Sequence, residues 1–89
     1  MKADQTNDEE EALALGALSW TLSDDARASR LVALTGLTPA GMRERLTDRD
    51  FLAEVLRFLE GHEPDLVACA GDLGRAPAQL VAAREALER

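Results

Sequence analysis

The sequence predicts an all-α protein: a compact single-domain bundle of five to six short helices joined by tight Gly/Pro corners. Three observations carry this expectation. Sixteen alanines and fifteen leucines dominate the 89 residues, while β-branched and aromatic residues are scarce, a balance that favours helix over strand. Apolar residues recur at three- and four-residue intervals, the period of a helix face. Glycines and prolines punctuate most of the places where that period breaks. At 46% hydrophobic and 30% charged the chain is globular in composition, near the lower size at which a core holds unaided.

Residues 1–6 have no apolar face and are expected as a flexible tail, leaving 7–89 as one helical domain. Asn7 with Glu10 has the spacing of a capping box, and Asp8 to Glu11 stand where a helix dipole favours negative charge. The first helix should run from about Asp8 to Leu22 with two apolar stripes, Leu15–Leu18–Leu22 and Leu13–Ala17–Trp20. Gly16 beside the second stripe suggests that another backbone comes close there.

Ser23 is expected to cap a second helix ending at Thr35, with Ala28, Leu31, Val32 and Leu34 inward. At Gly36 a residue without Cβ suits the left-handed position past a helix end. Thr38 and Pro39 then supply a cap and a first helical residue. The third helix is expected over Pro39–Leu46, with Met42 and Leu46 inward.

Thr47 or Asp48 should cap the fourth helix, from about Asp48 to Glu60, the clearest amphipathic segment of the chain. Its broad apolar face of Phe51, Leu52, Val55, Leu56, Phe58 and Leu59 marks it as the main core helix. Gly61 ends it, and Pro64 opens a fifth helix carrying Leu66, Cys69, Ala70 and Leu73. Gly74 and Pro77 form a second corner before a sixth helix through Leu80, Ala83 and Leu87.

The ordered motifs Ala12-Leu13-x-x-x-Ala17-Leu18-x-Trp20, Leu31-Val32-Ala33-Leu34-Thr35-Gly36-Leu37-Thr38-Pro39, Phe51-Leu52-x-x-Val55-Leu56-x-Phe58-Leu59 and Leu66-Val67-Ala68-Cys69 with Gly74 and Pro77 form a recognisable series. Together they resemble the bacterial family catalogued as domain of unknown function 3572, over roughly residues 9–87. The resemblance implies a small cytoplasmic bacterial protein and brings no functional residues with it.

The residues themselves argue against chemistry. The single histidine, His62, and the single cysteine, Cys69, fall in a link and on an inward helix face, so neither a nucleophile–base pair nor a metal site is expected. The six glycines are scattered, and none forms a phosphate-binding loop. No cofactor and no enzymatic activity are expected. One cysteine excludes an internal disulfide and suits a reducing compartment. With neither a basic-then-apolar leader nor a run of roughly 20 apolar residues, the expected location is the cytoplasm, without a membrane partner.

The formal net charge is −7, and residues 1–11 hold five of the acids against Lys2. Such a field opposes nucleic acid unless a local basic face overrides it. A helix–turn–helix DNA reader is the runner-up reading, with Thr38, Arg43 and Arg45 as its contacts. The leading reading is a protein–protein interaction or self-association module, its partner an unidentified protein or a second copy. Its expected surface is Leu13, Gly16, Ala17 and Trp20. A purely structural accessory subunit is the third.

Overall fold

The computed structural model describes the backbone of residues 2–89 and the side chains from Glu9 onward. Its six helices are α1 (Lys2–Leu22), α2 (Asp25–Thr35), α3 (Pro39–Arg43), α4 (Arg49–Glu60), α5 (Glu63–Asp72) and α6 (Pro77–Leu87). No strand occurs among the described residues. Helices α1, α4 and α6 pack on one another and form the centre of the bundle. Helix α5 lies against α4 and α6, and α2 lies against α1. No described helix is long and apolar enough to cross a membrane.

The sequence of α4 places it at the centre. Phe51, Leu52, Val55, Leu56 and Leu59 are all buried, as the helical spacing of its apolar residues requires. Asp48 caps it, its carboxylate accepting from the amides of Asp50 (2.9 Å) and Phe51 (3.4 Å). Leu80, Ala83 and Leu87 of α6 and Ala14, Ala17 and Leu18 of α1 complete the inner core. Alanines at these crossings let the helix axes approach. The buried Thr21 hydroxyl donates to the Ala17 carbonyl one turn back at 2.8 Å, which satisfies it without a partner helix. Outside the core, Arg84 of α6 clamps Glu60 of α4 through two hydrogen bonds of 2.8 and 3.1 Å.

Both corners use the left-handed conformation that their glycines permit. Gly36 has φ 72° and donates its N–H to the Val32 carbonyl at 2.7 Å. Thr38 Oγ1 then accepts from the Gly41 amide at 3.1 Å, and Pro39 begins α3. Gly74 has φ 71°, and the Arg75 amide reaches back to the Ala70 carbonyl at 2.8 Å, the long bond of a Schellman ending.

Four boundaries and two packing expectations differ, one of the latter being Leu34, expected inward and 58% exposed. Helix α1 begins at Lys2, so helical backbone runs back through the expected tail. The Asn7 capping box involves side chains outside the described residues. The α2 cap is Asp24, which accepts from the Arg27 amide at 3.0 Å; Ser23 instead donates its hydroxyl to the Trp20 carbonyl. The carboxylate one residue later has the reach to the free amide. Helix α3 stops at Arg43 because beyond Glu44 amides bond three residues back, Arg45 to Met42 and Asp48 to Arg45, and the chain turns there. Helix α5 starts at Glu63, one residue before Pro64, without a side-chain cap. Gly16 faces the side chain of Leu73 and no foreign backbone.

Candidate interaction surface

The stripe expected to form the interaction surface is partly covered by the fold. Ala17 has no exposed surface, and Leu13 packs against the core. Beside Gly16, a Cβ built on that residue would lie 3.5 Å from Leu73 Cδ2, so the end of α5 covers this side of α1. Trp20 is half-buried and tied down on two sides. Its Nε1–H donates to Asp72 Oδ2 at 2.6 Å, and the Arg27 guanidinium lies 3.6 Å from its ring centroid. Arg27 also donates to the Trp20 carbonyl at 3.0 Å. Of the four, Ala17 is buried; Leu13, Gly16 and Trp20 are half-buried, and Leu13 and Gly16 line a cleft of about 370 Å³ with Leu73 and Arg75.

The residues expected to read DNA are exposed but dispersed in role. The Thr38 hydroxyl serves the α3 cap, and Arg45 Nη1 lies 3.6 Å from Asp48 Oδ2. Arg43 sits near the end of a helix of five residues, about 7.5 Å long.

His62 and Cys69 occupy different environments. His62 is exposed, with Nδ1 3.0 Å from Asp65 Oδ2, and the same oxygen accepts from Arg30 at 2.6 Å. Cys69 is wholly buried. Burial is the main cause that pushes its thiol up from 9.0 to about 11; the nearby Asp72 carboxylate adds to the shift and Arg27 opposes it. This is the opposite of an activated nucleophile. No group of three or more potential metal ligands comes together among the described residues.

On the other stripe of α1 Leu18 is core and Leu22 packs partly against it, so Leu15 is the open residue. Together with α3 this stripe walls a groove of about 630 Å³ lined by Leu15, Leu22, Pro39, Met42, Arg43 and Leu46. Leu18 and Met42 are buried at its base, whereas Leu15 is 36% exposed on its wall. Arg43 is the sole charged residue lining it and makes no ion pair among the described residues. The sequence contained half of this site in plain view, as the Leu15–Leu18–Leu22 stripe. The other half depends on where α3 lands.

A second open cleft of about 550 Å³ lies between α2 and α4, with Leu34 and Phe58 among its lining residues. Its cationic rim is already engaged: Arg30 pairs with Asp65 and Arg57 pairs with Glu88. That leaves the α1–α3 groove as the better candidate.

A family model described as "Protein of unknown function (DUF3572)" matches residues 7–89, nearly the whole chain. The chain belongs to this family. The match covers five of the helices completely and most of α1, including both walls of the groove. No curated protein and no solved structure matches the chain.

Proposed function

We propose that this member of the DUF3572 family is a non-enzymatic interaction module of the bacterial cytoplasm, docking through the α1–α3 groove. The observation that carries this reading is the groove itself. It is open, walled by aliphatic side chains, and bordered by Leu15, which is 36% exposed. The buried, proton-retaining Cys69 supports a non-catalytic role, and its free thiol suits a reducing compartment. The DNA alternative draws little support from a net charge of −7 or from a five-residue α3.

The test is photo-crosslinking in the native cell from a reactive residue placed at position 15, with one at Ala78 on an exposed face of α6 as control. Adducts formed from position 15 and not from position 78 are expected. Absence of adducts at position 15 would overturn the reading.

A further inference from the structure

We infer that α2, α3 and the Gly36 corner between them form an arm that swings off the rest of the bundle as one unit. The arm spans residues 25–46, and its position sets the width of the α1–α3 groove. The opening is a property of the fold alone; its effect on docking rests on the groove being an interaction surface. Each of α1, α4, α5 and α6 packs on the other three, whereas α2 packs along α1 only and α3 along no helix. The arm sends one buried side chain from each of its helices into the core, Leu31 from α2 and Met42 from α3. Val32, Leu37 and Leu46 rest against that core partly buried.

Open space flanks the arm on both sides. The cleft of about 550 Å³ lies between α2 and α4, and Thr35 and Leu37 border a further cleft of about 240 Å³ against the start of α4. On the other flank the α1–α3 groove separates α3 from α1. Two side chains of α2 fasten it to the four-helix body. Arg27 stacks on Trp20 and donates to its carbonyl, and Arg30 donates to Asp65 of α5 at 2.6 Å. Both ends of the arm are short joints, the Ser23–Asp24 link before it and the turns up to Asp48 after it. A segment with few buried apolar contacts opens at a lower free energy than the whole molecule. Pro39, Met42 and Arg43 form the α3 wall of the groove, so that wall moves with the arm.

Backbone hydrogen exchange, followed by NMR on the folded full chain, tests the inference. The amides of Leu31, Val32 and Met42 should share one opening constant, larger than that of Val55, Leu56 and Leu59 in α4. Leu31→Val shortens the α2 anchor and should raise the opening constant of the arm by about fivefold. Ala83→Gly lies in α6, which does not pack on the arm. It should raise the opening constant of α4 by about tenfold and leave that of the arm unchanged. The reason is that a unit which opens while α6 stays folded does not register a change within α6. Separate constants for Leu31, Val32 and Met42, a shared constant no larger than that of α4, or an arm unmoved by Leu31→Val would each overturn the inference. So would an arm accelerated by Ala83→Gly as much as α4. Exchange reads the opening with no occupant present, and the position-15 adducts read docking whether or not the arm opens, so the two failures are distinct.

Discussion

Gly36 shows at the scale of one residue how backbone geometry fixes the chain path. A Cβ there would touch nothing within 4 Å, so space does not require glycine; the φ of 72° does. Gly36→Val should cost at least about 1–2 kcal/mol through strain alone, measured as a lowered urea midpoint with the slope unchanged. Cys69 makes a different point. Its thiol ionises at about 11 when folded, against an ordinary 9.0. Between those values the unfolded chain has released a proton that the folded chain still holds, so stability falls as pH rises through that window. Relative to a Cys69→Ala variant, the protein should lose roughly 1–2 kcal/mol by pH 10.5, and below pH 8 the difference between the two should not vary with pH. Comparing their urea unfolding at the two pH values checks this.

Helix α1 carries two apolar stripes, and different neighbours cover them. Gly16 faces Leu73 and Trp20 bonds Asp72 at the end of α5, while Leu15 stands 36% exposed beside α3. The glycine within α1 is not demanded by that contact. A Cβ at Gly16 meets Leu73 at an ordinary contact distance of 3.5 Å. Gly16→Ala should therefore stabilise the protein by about 0.5–1 kcal/mol, through helix propensity. A higher thermal midpoint is the readout; a lower one would mean that Leu73 cannot yield. Helix α3 illustrates the converse. Thr38 and Pro39 announce its start, but its early end follows from amides that turn to carbonyls three residues back, which no capping residue marks.

For the whole molecule, charge decides more than shape. A Gly-centred corner between two helices has the outline of a DNA reader. Yet with a net charge of −7, Arg45 beside Asp48 and Thr38 occupied as a cap, no retardation of duplex DNA is expected even at low salt. A salt-dependent shift in gel mobility would contradict this. The helices, both left-handed corners and the α4 core face were legible in the chain because they depend on local rules: propensity, capping and a 3.6-residue period. The family membership was legible for the same reason, since it lies in the order of those local motifs. Which face of α1 is covered was not legible, because Leu13–Ala17–Trp20 and Leu15–Leu18–Leu22 have equal claims as sequence. Tertiary structure decided it through contacts 52 residues apart, such as Trp20 to Asp72, which close one stripe. The landing of α3 beside Leu15 then made the other stripe a groove. Periodicity along a helix names the faces that can be buried; only the positions of its neighbours determine which of them is.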